Sequence, residues 1–300
     1  MSAAVLGAFL GIGLVIIVGT FIALQPNRCI SACERWRGRP WVADARERFR
    51  HQRDCLVEGL GPVGAFAALI LVSMPVLVAI VGLVGMPTQR EPISSLHWHI
   101  YDWFRDERQL SVWATRIMHV LTRTGNWPET FVFSGLGAIA LAFVARHRRW
   151  LPLLLIATSV LVEWCVQGVT KDLLNASHPP TASGTYPSGG TARVIVVYGF
   201  IVYLYLQLRA RHGWRSTVAW WTLIALLAFL EGYSRIYLGY HWAFDVPGGV
   251  LVGVLLLTIL IAAARAFNWA PDRADLAARS RQPEASPPGP PSKKGNSPNT

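Results

Sequence analysis

The sequence has few charged residues, and few of those are acidic. Asp, Glu, Lys and Arg make up only 15% of its 300 residues, whereas 52% are hydrophobic, which excludes an ordinary water-soluble domain. The 28 Lys and Arg outnumber the 17 acidic residues and give a net charge of +11. Because the arginines cluster in short segments between apolar runs, this charge indicates membrane topology, and no nucleic-acid partner is expected.

Cysteine is also scarce, and its four positions do not suit a disulfide framework. Cys29, Cys33 and Cys55 lie in an arginine-rich segment, and Cys165 lies in an apolar run. A Cys-x3-Cys pair without a second cysteine pair is weak evidence for zinc. We therefore expect plain thiols, no metal and no other cofactor.

Seven apolar runs are the main feature that is present. They cover about residues 2–24, 61–86, 130–145, 151–169, 191–208, 216–232 and 246–264. Runs of this length predict transmembrane helices, so the fold class is an all-α integral membrane protein. The tail, residues 265–300, is rich in proline, serine and charge after its first few residues and is expected to be disordered.

The arginines predict the orientation of these helices. Four segments hold 20 of the 28 basic residues: 28–53, 146–149, 209–215 and the tail after 264. They alternate along the chain, so the positive-inside rule places all four in the cytoplasm. The loops 87–129, 170–190 and 233–245 are then extracytoplasmic, and we expect the plasma membrane.

The first of these loops contains RQLSVWATRIMHVLTR, residues 108–123. Leu110, Trp113 and Ile117 recur at helical spacing, which predicts an amphipathic helix on the membrane surface. It is either a simple anchor, which we favour, or a basic lip that attracts anionic lipid.

Three polar segments fall on the extracytoplasmic side: KDLLNASHPP (171–180), YPSGGTAR (186–193) and SRIYLGYHWAFDV (234–246). Ionisable groups at the level of a bilayer are expensive and usually mark a site. Lys171 and Arg235 are cations that suit phosphate. Ser188, Gly189 and Gly190 precede a helical run, so their backbone N–H groups predict an anion cradle.

A histidine and an aspartate in the third segment predict a nucleophile. His241 and Asp245 stand four residues apart, so on a helix they share a face. A carboxylate behind an imidazole fixes its tautomer and leaves the other nitrogen free to attack phosphorus.

These motifs resemble those of the type 2 phosphatidic acid phosphatase superfamily, whose pattern is Lys-x6-Arg-Pro, Pro-Ser-Gly-His and Ser-Arg-x5-His-x3-Asp. The third motif is complete as Ser234, Arg235, His241 and Asp245. The resemblance covers about 61–264 and implies a six-helix membrane core there. Residues 1–60 then form an additional N-terminal transmembrane helix and an Arg-rich cytoplasmic loop.

The resemblance also implies roles for individual residues. His241 is the nucleophile that forms a phosphohistidine, and Asp245 orients it. The remaining site residues implied to bind the substrate phosphate are Arg235, Lys171, Ser188 and Gly189. The substrate is a lipid phosphate or pyrophosphate in the membrane, and nothing in the sequence indicates the oligomeric state.

Two positions depart from the family pattern. His178 stands where the family has Arg, and Gly190 stands where the family has the His that protonates the leaving oxygen. A phosphate leaves far more easily than an alkoxide, so the missing acid favours a pyrophosphate such as a polyprenyl pyrophosphate. Arg193 is a candidate to replace the lost cation, and His178 is a candidate for the displaced acid.

Other functions remain open from the sequence. Glu163 lies on a line with Lys171 and is either its support or a headgroup-level glutamate. A lipid phosphotransferase is a second enzyme hypothesis. A non-catalytic protein that binds a lipid phosphate is a third, because of the two departures.

Overall fold

A computed structural model describes residues 3–86, 91–145, 148–175, 178–180, 185–209 and 213–267. The described residues are almost entirely helical and contain no strand. Among these described residues, seven helices are long and apolar enough to cross a membrane. The predicted all-α membrane fold with seven spans is confirmed, whereas the predicted disordered tail lies almost wholly outside the described residues.

The N-terminal region forms three helices. They are α1 (Ala3–Leu24), α2 (Pro26–Arg37) and α3 (Pro40–Gly85). Both α2 and α3 start with a proline, which fits the first turn of a helix because its missing N–H has no partner there. The Arg-rich segment, expected as a loop, is therefore helical. Gly61 breaks α3 with φ 69° and ψ 172°, at the point where the second apolar run was predicted to begin.

The segment between the second and third spans, which was predicted to be an extracytoplasmic loop, forms two helices and a turn. They are α4 (Glu91–Leu110), α5 (Val112–Leu121) and a 3₁₀ turn (Thr122–Gly125). The predicted amphipathic helix is thus interrupted at Ser111. Leu110, Trp113 and Ile117 are exposed on the protein surface, as expected for a face that meets lipid. Ala114 and Met118 are buried on the opposite side, so this segment also packs against the core.

The remaining helices form the core. They are α6 (Trp127–Val144), α7 (Trp150–Leu174), α8 (Gly189–Arg193), α9 (Gly199–Leu208), α10 (Trp214–Tyr237) and α11 (Asp245–Ala264). One π-helical turn, Val194–Tyr198, joins α8 and α9 into a single span.

Small residues bring the helices around the site close together. The ring of Tyr186 lies against Gly85 of α3 and Gly248 of α11, where a Cβ would collide with it. Gly249 of α11 lies equally close to Ser188, before α8. These contacts tie the segment before α8 to the start of α11, which is where the second and third motifs lie.

Candidate active site

His241 and Asp245 form a buried, hydrogen-bonded pair. Nδ1 of His241 lies 3.2 Å from Oδ2 of Asp245, and the same oxygen accepts the backbone N–H of Trp242 at 2.9 Å. The prediction that a helix brings the two together is wrong, because α11 begins at Asp245 and His241 lies in the preceding turn. That turn requires Gly239 at φ 71°, a left-handed conformation that favours glycine.

The pair fixes which nitrogen of His241 is available. A carboxylate only accepts hydrogen bonds, so Nδ1 carries the proton and Nε2 keeps its lone pair. Burial lowers the pKa of His241 from its ordinary value of 6.5, although the hydrogen bond and the charge of Asp245 act in the opposite direction. The charges of Arg235 and Lys171 lower this pKa further. The imidazole is therefore neutral at neutral pH, the form in which it acts as a nucleophile.

The second motif contacts the third directly. The backbone N–H of Ser188 donates to the carbonyl oxygen of Asp245 at 2.9 Å. Helix α8 begins at Gly189, two residues before the start of the predicted run at 191, so Gly189 and Gly190 lie in its first turn. The hydroxyl of Ser188 is 3.1 Å from that of Thr191, and both residues are fully buried. The structure thus brings Ser188 into contact with Asp245, whereas Gly189 lies beside Gln167 and Gly190 beside Arg235.

Arg235 is held by two partners that the motif pattern does not reveal. Its Nε donates to Glu231, one turn earlier on α10, and its Nη2 donates to Oδ1 of Asn126 at 2.9 Å. Glu231 also accepts the hydroxyl of Thr124 at 2.9 Å and the backbone N–H of Gly125 at 3.0 Å. The loop before α6 therefore contacts both members of the Arg235–Glu231 ion pair.

Arg193 is buried in a second ion pair. Its Nε donates to Oε2 of Glu163 at 3.2 Å, and its Nη1 donates to the carbonyl oxygen of Gly125. The guanidinium carbon lies 3.5 Å from the centroid of the Trp127 ring, a cation–π contact. Glu163, which we considered as a support for Lys171, forms its ion pair with Arg193 instead.

The two residues of the first motif differ in their surroundings. Lys171, in the last turn of α7, is half-buried, and its charge acts on His241. His178 is exposed, and its Nδ1 donates to the carbonyl oxygen of Pro179 at 2.9 Å. No hydrogen bond joins His178 to the other site residues within the part of the chain that the structure describes.

Helix α7 presents a row of polar side chains in the turn before Lys171. Gln167 and Thr170 are buried, yet neither forms a side-chain hydrogen bond with the described residues. Gln167 lies beside Gly189, since a Cβ there would be 3.3 Å from its Oε1. Buried polar groups are normally hydrogen-bonded, so this row indicates a surface for a polar ligand.

An apolar cavity of about 820 Å³ adjoins the polar residues between α6 and α7. Its wall includes Trp127, the residue that stacks on Arg193, together with Phe131 and Trp164. An apolar space beside buried cations suits a molecule with a charged head and a hydrocarbon tail.

Sequence reasoning missed part of this site. Asn126, Thr124 and Gly125 carry no local signal, because their partners are more than one hundred residues away on α10. Glu231 did have a signal, a carboxylate within an apolar run, but its partner was not evident. Among the described residues no group of three or more His, Cys, Asp or Glu side chains is placed to hold a metal ion.

Comparison with known proteins supports this picture. Residues 170–269 match the model of the PAP2 superfamily, the type 2 phosphatidic acid phosphatase family that the motifs resemble. Over 159 residues the chain is 28% identical to phosphatidylglycerophosphatase B of Bacillus subtilis (strain 168), covering 49% of this chain and 74% of that protein.

A solved structure shares the fold. It is the first transmembrane PAP2 type phosphatidylglycerolphosphate phosphatase from Bacillus subtilis, with a TM-score of 0.51 and 23% identity over 66% of this chain and 94% of that one. The segment that matches the PAP2 superfamily model contains Lys171, Ser188, Arg235 and His241, and the fold of this membrane protein is similar to that of the solved structure.

Proposed function

We propose that this membrane phosphatase hydrolyses a lipid phosphate, and preferentially a lipid pyrophosphate, through a phosphohistidine at His241. One observation carries the proposal: a buried imidazole is hydrogen-bonded through Nδ1 to Asp245 and lies within the electrostatic reach of Lys171 and Arg235. A neutral histidine beside fixed cations suits attack on an anionic phosphorus centre.

The chemistry follows from these positions. Lys171, Arg235, the hydroxyl of Ser188 and the backbone N–H groups of Gly189 and Gly190 bind the phosphate oxygens, with Arg193 as an additional cation beside Gly189. The lone pair of Nε2 attacks phosphorus, the bond to the leaving oxygen breaks, and Asp245 stabilises the positive charge that develops on the ring. Water then attacks the phosphohistidine, which releases inorganic phosphate and restores the neutral imidazole.

The preference for pyrophosphate rests on Gly190. A glycine supplies no acid for the leaving oxygen, and general acid catalysis is typically worth about 10²–10⁴-fold. A leaving phosphate tolerates this loss better than an alkoxide, because its second pKa is about 6. His178 is the candidate for a displaced acid, and an exposed position is compatible with movement toward a bound substrate.

The lipid nature of the substrate is supported by the cavity beside Trp127. Its apolar wall offers a place for a hydrocarbon tail while the head remains at Arg193 and Lys171. Phosphatidylglycerophosphate is a second candidate substrate, because the relative in Bacillus subtilis is named for an activity on that lipid.

We further propose that the site faces the extracytoplasmic side of the plasma membrane. The arginine-rich segments alternate with the loops that carry the motifs, so the positive-inside rule places the motifs outside. Substrates would then be lipids exposed in the outer leaflet.

The first experiment measures phosphate release in detergent from polyprenyl pyrophosphate, phosphatidic acid and phosphatidylglycerophosphate. We expect release from at least one lipid, fastest from the pyrophosphate. It should be abolished in His241→Ala and retained in the matched His51→Ala, whose histidine is exposed on α3. Release that survives His241→Ala would refute the phosphohistidine mechanism.

Two other results would replace the proposed function with a different one. A phosphorylated acceptor lipid in place of free phosphate would indicate a phosphotransferase. A lipid phosphate that copurifies and is never turned over would indicate a binding protein.

A further inference from the structure

Other side chains occupy the space beside Gly190. A Cβ built on Gly190 would collide with the guanidinium of Arg235 and with the carboxylate of Glu231. A Cβ on Gly125 would collide with the same carboxylate and would lie 2.7 Å from the Cα of Gly190. The Glu231 carboxylate is therefore packed between two glycines, and a side chain at position 190 would have to displace Glu231 or Arg235.

Glu231 is fully buried and has a complete set of donors. Its carboxylate accepts hydrogen bonds from the Arg235 guanidinium, the Thr124 hydroxyl and the Gly125 backbone. Three donors from two separate parts of the chain fix the position of this anion. A buried carboxylate is stable only when it is paired in this way.

The bonds to Arg235 use one edge of its guanidinium. Nε donates to Glu231 and Nη2 donates to Asn126, whereas Nη1 forms no hydrogen bond or ion pair with the residues that the structure describes. The charge of Arg235 nevertheless acts on His241. The guanidinium is thus held in one orientation close to the nucleophile, with donors left over.

We propose that Glu231 is a positioning residue for Arg235. Together with Asn126 it holds Arg235 against the backbone of Gly190, so that Nη1 of Arg235 meets the substrate phosphate. This arrangement requires glycine at position 190. The proposal rests on the proposed function, since it takes Arg235 to bind the phosphate. It explains why position 190 is a glycine: the Arg235–Glu231 ion pair occupies the space that the histidine side chain of the family pattern would need.

The physical effect of losing Glu231 is a loss of orientation. A free arginine side chain has many rotamers, and ordering it on binding costs affinity. A displacement of about 1 Å at a catalytic group can cost about 10²-fold in rate. We therefore expect phosphate affinity and kcat/KM to fall together when the ion pair is disturbed.

The test measures binding of vanadate, a phosphate analogue, by calorimetry in detergent, together with kcat/KM on the best lipid. The variants are Gly190→Ala, Glu231→Gln and Asn126→Ala. We expect the vanadate Kd to rise about 10–100-fold in the first two and less in the third, with kcat/KM falling in parallel. The matched controls are Gly168→Ala, where a Cβ meets open space, and Glu58→Ala, an exposed glutamate; both should behave as wild type.

A double variant tests the coupling itself. Gly190→Ala in a Glu231→Ala background should lose about as much affinity as the worse of these two single variants. The collision with the carboxylate is then gone, and Arg235, without its ion pair, can move away from the new Cβ. Losses that multiply would show that positions 190 and 231 act independently and would overturn the proposal. Glu231→Gln and Asn126→Ala remain informative if Gly190→Ala does not fold.

The two hypotheses fail in different ways. If wild type binds vanadate but hydrolyses none of the lipids, the proposed phosphatase fails, and the Kd values of the variants still decide the role of Glu231. If Glu231→Gln and Asn126→Ala bind vanadate as wild type does, the positioning role is wrong. A wild type that binds no vanadate overturns it as well, because Arg235 would then serve no anion site.

Discussion

At the scale of single residues, the site is a set of buried charges that nearly cancel. Arg193 and Arg235 are each paired with a glutamate, Glu163 and Glu231. Lys171 forms no ion pair within 4 Å in the described part of the chain, so it is the cation most available to a substrate. Pairing lowers the cost of burying each arginine, and it leaves only part of each guanidinium for phosphate.

The carboxylate of Asp245 gives a prediction about pH. Its hydrogen bond and its charge raise the pKa of His241, whereas burial lowers it. Asp245→Asn should therefore move the acid limb of the kcat/KM profile to lower pH, because the imidazole then protonates less readily. It should also reduce kcat by about 10²–10⁴-fold, since the tautomer and the developing cation lose their support.

The profile of wild type is the reference for this measurement. Any limb that comes from the substrate phosphate is common to both proteins, so the difference between the profiles belongs to His241. Asp106→Asn, on the exposed surface of α4, is the matched control and should reproduce wild type. An acid limb that moves to higher pH in Asp245→Asn would contradict the role given to this carboxylate.

At the scale of elements, the sequence predicts the helices far better than their contacts. Lipid-facing spans are continuously apolar, so the spans and even the break at Gly61 are visible in the hydropathy pattern. The pairing of His241 with Asp245 was predicted for the wrong reason, because a turn and a helix start give the same contact as a helix face. The hydrogen bond from Gly125 to Glu231 joins residues that are 106 positions apart in the sequence, and no local sequence pattern predicts a contact over such a separation.

The contact of α1 with α10 gives an element-scale prediction. A Cβ on Gly11 would collide with the ring of Phe229, whereas a Cβ on Gly13 would meet open space. Gly11→Leu should therefore separate the two helices and cost about 1–3 kcal/mol of stability, as overpacking usually does. Gly13→Leu, the matched control, should be nearly neutral.

Thermal unfolding in detergent, followed by tryptophan fluorescence, measures this difference. Trp214 is one of the thirteen tryptophans that contribute to this signal, and its Nε1 donates to the carbonyl oxygen of Ile22 at 3.1 Å, which joins α10 to α1. Equal melting temperatures for the two leucine variants would mean that α1 does not pack on α10 through Gly11.

At the scale of the whole molecule, the arginine-rich segments and the candidate site lie at opposite ends of the helix bundle. The arginine-rich segments follow α1, α6 and α9, whereas the site collects the ends of α7 and α10 and the starts of α8 and α11. Helices α4 and α5 belong to the second end, because the loop after them supplies Thr124, Gly125 and Asn126 to the site. The turn that follows these surface helices thus contributes to the candidate site, while Leu110, Trp113 and Ile117 remain on the exposed face.

This arrangement predicts the labelling pattern of cysteines in intact cells. Cys33 and Cys55 are exposed thiols in the arginine-rich region, and Arg116 is exposed on α5. A membrane-impermeant maleimide should label Arg116→Cys from outside, in a background where Cys29, Cys33 and Cys55 are replaced by serine. The native Cys33 and Cys55 should react only after permeabilisation, because positively charged segments stay in the cytoplasm. The reverse pattern would put His241 on the cytoplasmic face, and the substrates would then have to be lipids of the inner leaflet.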